Sequence, residues 1–250
     1  MTVAAVPALE VSKLAKRFGG LAVTREVSIS VPAGQRHLII GPNGAGKTTL
    51  FNLMTGDLRA DGGSVRLFGR ELVGLPTRRR AALGLGRTYQ ILTLFQDDTF
   101  LHNVSMALLG LSRARFDPWN PLAGRRALRE RARRALERVG LADSADRLVS
   151  ETSYGERRRL ELAMALAQEP RVLLLDEPLA GLSPEERHGV SRVLAAIPRD
   201  VTIVMIEHDM DVALAFSDAV TVLHFGEVIV QGTRAEVVAD PRTREVYLGE

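Results

Sequence analysis

The sequence predicts an α/β fold built around a mostly parallel sheet, and two patterns indicate it. From residue 153 to residue 223, helix-like segments alternate with short apolar runs. Two of these runs, at residues 172–175 and 201–206, are almost continuously apolar, which is typical of strands buried on both faces. Alternation of this kind forms right-handed βαβ units. Ligands of such sheets bind at the carboxyl ends of the strands, so functional residues are expected there.

The individual elements follow from local patterns. After residue 40 the apolar spacing changes from that of a strand to that of a helix. Asp61-Gly62-Gly63 is a turn signal that precedes another β-like stretch. The predicted strands are residues 9–12, 26–31, 36–40, 64–68, 172–176, 201–206 and 219–223. The predicted helices are residues 47–55, 77–83, 99–109, 122–139, 153–168, 184–197 and 210–216.

The composition is that of a globular protein and excludes several classes. The chain has 250 residues, of which 46% are hydrophobic, so it can bury a large core without disulfides. It has no cysteine, which excludes a disulfide scaffold, a thiolate zinc site and a cysteine nucleophile. No apolar run approaches the roughly 20 residues of a membrane span, and residues 1–10 lack the pattern of a secretory signal. We therefore expect a cytoplasmic protein.

The net charge of +3 conceals an uneven distribution. Residues 113–138 contain nine arginines and three acidic residues, a local charge of +6, and the remainder of the chain carries −3. Lysine is rare, since only Lys13, Lys16 and Lys47 occur among the 33 basic residues. A lysine at a chemically demanding position therefore stands out.

A phosphate-binding loop is predicted between the strand at 36–40 and the helix at 47–55. The full eight-residue pattern is present as Gly41-Pro42-Asn43-Gly44-Ala45-Gly46-Lys47-Thr48. Its glycines let several backbone N–H groups face one anion, and the helix N-terminus adds its positive end. We expect Lys47 to bind the β- and γ-phosphates and the Thr48 hydroxyl to ligate Mg²⁺. The alternative is a glycine-rich turn with an exposed lysine.

Two carboxylates follow the buried strand at 172–176. Asp176 suits a magnesium shell, as the acidic residue of other phosphate-loop ATPases does. Glu177 lies one residue further and faces the other way, where it can act as general base toward an attacking water. The alternative is that both residues only cap the end of the strand.

The segment ahead of this strand resembles the signature of ABC transporter ATP-binding subunits. It reads Thr152-Ser153-Tyr154-Gly155-Glu156, whereas the common form is Leu-Ser-Gly-Gly-Gln, so Ser153 and Gly155 are retained. The resemblance spans nearly the whole chain and implies an ABC-type P-loop ATPase fold, with an antiparallel β subdomain and an inserted α-helical subdomain. It also implies that Ser153 and Gly155 contact the γ-phosphate of ATP. Independently, the spacing of Ser153 and Glu156 predicts a helix capping box.

The resemblance assigns further roles to single residues. Phe18 resembles the aromatic residue that stacks on adenine, although an isolated phenylalanine is more often a core residue. Gln90 resembles the glutamine that contacts Mg²⁺ and the attacking water and senses the membrane subunit. His208 resembles the switch histidine that holds the γ-phosphate and orients Glu177. The other histidines are expected to be structural: His37, His102, His188 and His224.

The predicted site therefore has three sets of residues. The nucleotide-binding set is Phe18, Gly41, Pro42, Asn43, Gly44, Ala45, Gly46, Lys47, Thr48, Thr49, Ser153 and Gly155. The catalytic set is Glu177, His208 and Gln90, and the magnesium ligands are Thr48, Gln90 and Asp176. One position departs from the family pattern, because Ser183 stands where an aspartate usually crosses to the partner subunit. Ser183, Pro184 and Glu186 predict a capped helix start, and the contact across subunits stays open.

The chain contains one phosphate loop and one signature segment. The resemblance implies a head-to-tail dimer with an identical or related subunit, in which each ATP lies between the loop of one and the signature of the other. It further implies transmembrane permease subunits, indirectly a solute-binding protein, and a peripheral location at the cytoplasmic face of the inner membrane. We expect one ABC ATPase domain over residues 1–250, with a core at 1–88 and 168–250 and a helical subdomain at about 89–167.

The transported solute is the least determined feature. Strings such as Arg87-Thr88-Tyr89-Gln90 resemble the branched-chain amino acid importers, and an importer of urea or short-chain amides is the close rival. A soluble ABC ATPase acting on nucleic acid or ribosomes is a further alternative because of the basic segment. Aromatic residues are sparse in that segment, however, and no tandem ATPase unit occurs, so we expect no nucleic-acid partner. We hypothesise instead that residues 113–138 face an anionic membrane surface.

Overall fold

The computed structural model describes residues 5–89, 93–112, 126–208 and 210–248. The chain divides into two compact units. The first consists of Met1–Leu85, Arg171–Glu177 and Pro198–Glu250, and the second of Gly86–Pro170 and Pro178–Ile197. Gln90 and residues 113–125 of the basic segment lie outside the described residues. Within the described ranges, none of the helices has both the length and the apolar character that a membrane span requires.

The secondary structure follows the predicted alternation. The strands are β1 (Leu9–Phe18), β2 (Leu21–Val31), β3 (Arg36–Ile40), β4 (Gly62–Leu67), β5 (Arg70–Glu71), β6 (Leu85–Thr88), β7 (Val172–Asp176), β8 (Thr202–Ile206), β9 (Ala219–His224) and β10 (Glu227–Thr233). The helices are α1 (Lys47–Thr55), α2 (Thr77–Ala82), α3 (Phe100–Leu111), α4 (Arg126–Arg138), α5 (Tyr154–Ala167), α6 (Pro184–Ala196), α7 (Met210–Phe216), α8 (Arg234–Ala239) and α9 (Pro241–Leu248).

The first unit contains an antiparallel sheet with the strand order β2-β1-β4-β5. Strands β1 and β2 are about twice as long as the sequence predicts. The pairing of β1 with β2 shifts register between Val11 and Leu14 and again between Leu14 and Lys16. Such bulges interrupt the two-residue alternation of buried and exposed side chains, so the alternation ends before the strand does.

The first unit also contains the parallel sheet, in which the order is β10-β9-β3-β8-β7. Strands β9, β3, β8 and β7 run parallel, and β10 pairs antiparallel with β9. Ile206 of β8 is in register with Ile39 of β3 and with Asp176 of β7. The segments that follow these three strands therefore leave the sheet at the same edge.

One apolar cluster forms the core of the first unit. It joins buried side chains of β1, β2 and β4 with Leu50, Phe51, Leu53 and Met54 of α1, and with inner positions of β7 and β8. Arg80 of α2 is also buried, and its Nη1 donates to the carbonyl oxygens of Leu53 and Met54 at 2.9 and 2.7 Å. These carbonyls belong to the last turn of α1, where the helix itself offers no N–H groups to bond them. Arg80 thus fixes α1 by satisfying its last turn.

The second unit is helical. Helices α3, α4 and α5 pack against one another, and α5 also packs against α6. Helix α4 buries Ala132, Ala135 and Leu136, and its opposite face carries arginines. Several of these arginines are paired, as Arg126 is with Glu130 at 2.8 Å. The described part of α4 begins at Arg126, and residues 122–125 of the predicted helix are outside the described residues.

Five elements have no counterpart in the sequence prediction: β5, β6, β10, α8 and α9. Strand β5 has only two residues, too few for any periodicity. Strand β10 forms a hairpin with β9, and Phe225-Gly226 lies between the two strands. That pair lacks the Asn-Gly or Asp-Gly signature by which hairpins are usually detected. Strand β10 is therefore recognised only through its pairing with β9.

Candidate active site

The predicted phosphate loop connects the end of β3 to the start of α1. Gly46 has a φ of +96°, and a Cβ added there would lie 2.6 Å from the carbonyl oxygen of Val23. A Cβ on Gly41 would lie 2.0 Å from the carbonyl oxygen of Leu223. Real side chains do not approach backbone atoms so closely, so both positions require glycine. Neighbouring backbone therefore packs directly on the loop and holds its turn in place.

Lys47 is folded over this loop. Its ammonium donates to the carbonyl oxygens of Gly41 and Pro42 at 2.7 and 3.0 Å, and the residue is only 6% exposed. Burial lowers the pKa of Lys47, and the nearby charges of Glu177 and Asp176 act in the opposite direction. The loop, its lysine and the two predicted carboxylates are thus neighbours within the first unit.

Both carboxylates lie at the end of β7. Asp176 is 1% exposed and Glu177 is 9% exposed. The backbone of Glu177 has a φ of +48°, and its N–H donates to the carbonyl oxygen of Ile206 at 3.0 Å. A left-handed backbone at a residue other than glycine costs free energy, and such strain concentrates at functional sites. The turn changes the direction of the chain directly after Asp176.

His208 follows β8 and reaches the same place. Its Nε2 lies 2.7 Å from Oε1 of Glu177, although 31 residues separate the two in sequence. The register of β7 with β8 brings them together, because Asp176 is aligned with Ile206. The backbone N–H of His208 also donates to Glu207 at 3.0 Å. The imidazole is therefore positioned against the predicted general base by a direct hydrogen bond.

Phe18 ends β1 and is half exposed. The Lys16 ammonium lies 5.6 Å from the centroid of its ring, and it also pairs with Asp61 at 2.8 Å. A large aromatic ring that is not part of the core is available for stacking. Its predicted contact with adenine stays a prediction.

Oxygen donors for a magnesium ion are present, although they are few. The Asp176 carboxylate is buried at the end of β7, and the Thr48 hydroxyl is exposed in the first turn of α1. Carboxylate and hydroxyl oxygens suit Mg²⁺, which usually takes one or two carboxylates together with phosphate oxygens and waters. In the part of the chain that the structure describes, no three His, Asp or Glu side chains form a metal-binding group. The donor set thus fits an ion held jointly with a phosphate, and it does not resemble an all-protein cage.

The signature segment lies in the second unit, at the start of α5. Ser153 is the N-cap, its Oγ accepts from the N–H of Glu156 at 3.2 Å, and Glu156 Oε2 accepts from the N–H of Ser153 at 2.9 Å. The predicted capping box is confirmed. The second predicted box, at Ser183 and Glu186 at the start of α6, is confirmed as well.

A contact that the sequence did not predict occupies the signature segment. The N–H of Gly155 donates to Oε1 of Glu186 at 2.8 Å. A Cβ on Gly155 would lie only 2.7 Å from Cγ of Glu186, so glycine is required for this approach. Sequence reasoning identified Glu186 only as a helix cap, because no local spacing relates residues 155 and 186.

A second unpredicted cluster joins α5 to the end of β6. Arg158 is 2% exposed, pairs with Glu161 at 2.9 Å and donates to the carbonyl oxygen of Tyr89 at 2.9 Å. Glu161 accepts from the N–H of Tyr89 at 2.7 Å. Both backbone polar groups of Tyr89 are therefore held by side chains of α5. In the sequence, Arg157-Arg158-Arg159 has the pattern of a solvent-exposed basic face, so the pattern does not indicate that Arg158 is buried.

Two other predictions concern single residues. Gln90 lies outside the described residues, so its role stays a prediction. His37 is buried and bonds Thr221 at 2.8 Å and Gln35 at 3.1 Å, and burial lowers its pKa to about 4. These contacts fit the structural role expected for His37.

Comparison with known proteins identifies the family. A family model described as ABC transporter matches residues 24–180. The high-affinity branched-chain amino acid transport ATP-binding protein BraF of Pseudomonas aeruginosa is 40% identical, with 98% of each chain covered. The chain belongs to the ABC transporter family. The corresponding protein LivG of Salmonella typhimurium is 39% identical, again over 98% of each chain.

Among solved structures, the ABC transporter cassette MJ1267 in its ADP conformation superposes with a TM-score of 0.85. It is 32% identical, and the match covers 98% of this chain and 99% of that one. The predicted ABC-type ATPase family and fold are thereby confirmed, as is nucleotide binding at the level of the family. The roles of the individual site residues stay predictions.

Proposed function

We propose that this chain is the ATP-binding and ATP-hydrolysing subunit of an ABC importer for branched-chain or related amino acids. The observation that carries the hydrolytic role is the 2.7 Å contact between Glu177 and His208, beside the loop that holds Lys47. The similarity to BraF and LivG over 98% of the chain supports the class of solute. An importer of urea or short-chain amides is the alternative.

In the proposed reaction, the loop from Gly41 to Thr48 binds the phosphates of ATP through backbone N–H groups and the ammonium of Lys47. Glu177 accepts a proton from a water whose oxygen attacks the γ-phosphorus, and the bond between that phosphorus and the β–γ bridging oxygen breaks. The products are ADP and inorganic phosphate. His208 holds the Glu177 carboxylate by its hydrogen bond and so orients the base. Catalysis of this kind depends on positioning and on neutralising charge.

Thr48 and Asp176, with Gln90, are the proposed ligands of a magnesium ion. When bound, such an ion neutralises charge on the phosphate oxygens. The buried Asp176 carboxylate and the Thr48 hydroxyl at the loop support this assignment. Phe18 is the proposed support for the adenine ring, because its ring is half exposed at the end of β1. Pro42, Asn43, Ala45 and Thr49 complete the proposed nucleotide contacts.

We propose that the active form is a head-to-tail dimer with an identical or related subunit. The chain has one phosphate loop and one signature segment, and in this arrangement Ser153 and Gly155 of each subunit face the γ-phosphate bound by the other. The dimer is proposed to serve transmembrane permease subunits at the cytoplasmic face of the inner membrane and, through them, a solute-binding protein. The single ATPase domain with core and helical portions belongs to the same proposal, and no nucleic acid takes part.

The hydrolytic role is tested with the purified chain and MgATP. Glu177→Gln should bind MgATP and lose nearly all release of phosphate, whereas the wild type should hydrolyse ATP. Equal turnover in the two proteins would contradict the proposed base. Stimulation of the wild type by DNA or RNA, without stimulation by membrane subunits, would favour the nucleic-acid alternative.

The solute is tested by reconstitution. The chain and the permease and solute-binding proteins encoded beside it are placed in liposomes, and uptake of labelled leucine, isoleucine and valine is compared with uptake of labelled urea. ATP-dependent accumulation of the amino acids supports the proposal. Accumulation of urea alone would assign the chain to the alternative importer. The Glu177→Gln variant serves as the control without hydrolysis.

A further inference from the structure

One of the two signature groups proposed to meet the γ-phosphate, the N–H of Gly155, is bound by a carboxylate of the same chain. The N–H of Gly155 donates to Oε1 of Glu186 at 2.8 Å. Ser153, the other signature residue, caps the same end of α5. All three residues belong to the second unit.

Like a phosphate, the Glu186 side chain places negatively charged oxygens at the N-terminus of α5. A carboxylate offers negatively charged oxygens, and the first turn of a helix offers N–H groups and the positive end of its dipole. Helix α5 has 14 residues and Gly155 is its second, so the contact is made within that first turn. The bond to Gly155 is the largest cause of the lowered pKa of Glu186, so this contact favours the charged form of the side chain.

The absence of a side chain at Gly155 allows Glu186 to approach its backbone. An ideal Cβ at residue 155 would lie 2.7 to 2.9 Å from Cγ, Cβ and Cδ of Glu186, so the side chain lies against the glycine along most of its length. A γ-phosphate at the Gly155 N–H would meet the Glu186 carboxylate in the same place. Two like charges do not share one donor in such close contact, so one of them must leave.

We propose that Glu186 is a built-in competitor for the γ-phosphate at the signature segment, which ATP held by the partner subunit displaces when the dimer closes. The inference rests on the proposed function, because it assumes that Ser153 and Gly155 receive that phosphate. Glu186 also accepts from the N–H of Ser183 through its other oxygen, Oε2, at 3.1 Å. Displacement therefore alters the cap of α6, and the signature segment and the start of α6 change together.

The test measures ATP-dependent dimerisation in the Glu177→Gln background, where slow hydrolysis lets the ATP-bound dimer accumulate. Sedimentation velocity gives the MgATP concentration at half-maximal dimer. Adding Glu186→Gln should lower that concentration about fivefold, because a charge-assisted hydrogen bond is replaced by a weaker neutral one. Glu186→Ala, which removes the carboxylate altogether, should lower it as well.

The matched control is Glu236→Gln. Glu236 closes the same kind of capping box at Thr233 on α8, in the first unit, and removing its charge should not change the concentration. Ser183→Ala removes the hydroxyl from the α6 cap while leaving Glu186 in place, and it controls for loss of capping. An equal effect of Ser183→Ala and Glu186→Gln would assign the change to the cap and overturn the proposal.

The contact itself is measured without ATP, by hydrogen exchange at the Gly155 amide. Exchange should be faster in Glu186→Ala than in the parent, and unchanged protection would overturn the inference. An unchanged ATP requirement in Glu186→Gln and Glu186→Ala would also overturn it, while leaving the proposed function intact. If the Glu177→Gln parent forms no dimer with MgATP, the proposed function fails and the inference fails with it.

Discussion

The buried pair of Arg158 and Glu161 gives a prediction of stability whose size follows from its burial. The Arg158 side chain is 2% exposed and that of Glu161 is 12% exposed, and their charged atoms are 2.9 Å apart. Arg158→Met preserves most of the side-chain volume and removes the cation. The Glu161 carboxylate then remains in a place that water scarcely reaches. Loss of one partner from a buried ion pair costs about 3–5 kcal/mol of unfolding free energy.

A matched surface pair supplies the comparison. Arg131 pairs with Glu169 at 3.1 Å, and these side chains are 46% and 75% exposed. Because exposed ion pairs contribute about 0–1 kcal/mol, Arg131→Met should reduce the unfolding free energy by less than about 1 kcal/mol. Both arginines lie in helices of the second unit, so the two substitutions differ chiefly in burial.

The assay is urea unfolding followed by far-ultraviolet circular dichroism, applied to the wild type, Arg158→Met, Arg131→Met, Glu161→Gln and the double variant Arg158→Met/Glu161→Gln. Glutamine at 161 can still accept from the N–H of Tyr89, which now bonds the carboxylate at 2.7 Å. The double variant should therefore be more stable than the sum of the single losses predicts, by at least about 1 kcal/mol. A loss of less than 1 kcal/mol in Arg158→Met would refute the reasoning.

Three further outcomes are expected. Glu177→Gln should reduce phosphate release by about 10²–10⁴-fold, the usual contribution of a general base, while isothermal titration shows MgATP affinity within about twofold of wild type. Lys47→Ala should weaken MgATP binding by about 10- to 100-fold in the same titration, since charge-assisted hydrogen bonds to phosphate are lost, and wild-type affinity would contradict the loop assignment. His37 has its pKa lowered to about 4 in the folded chain, so the unfolded chain binds the proton more tightly. Stability should therefore fall as pH decreases from about 6.5 to 4.5, and in His37→Gln that fall should be smaller by about 2 kcal/mol, as measured by urea unfolding.

Features that depend on neighbours in the chain were predictable from the sequence. The phosphate loop needs its glycines and Lys47 at fixed spacing, and the structure has that loop between β3 and α1. The capping boxes at Ser153 and Ser183 are likewise set by a spacing of three residues, and both are present. The predictions for β1 and β2 ended part-way along each strand. They relied on the alternation of buried and exposed side chains, and bulges in the pairing shift that alternation.

Features that depend on residues far apart in the chain required the fold. The sequence marked Glu177 and His208 as separate candidates, and the alignment of β7 with β8 brings them to 2.7 Å. The sequence marked Glu186 only as a helix cap. Its contact with the amide of Gly155 joins α6 to α5, which pack together in the fold. Local backbone geometry determines which hydrogen bonds form within three or four residues. Burial of apolar faces determines which strands and helices become neighbours. The sequence by itself therefore identified the phosphate loop and the helix caps. The tertiary structure decided which charged side chains meet.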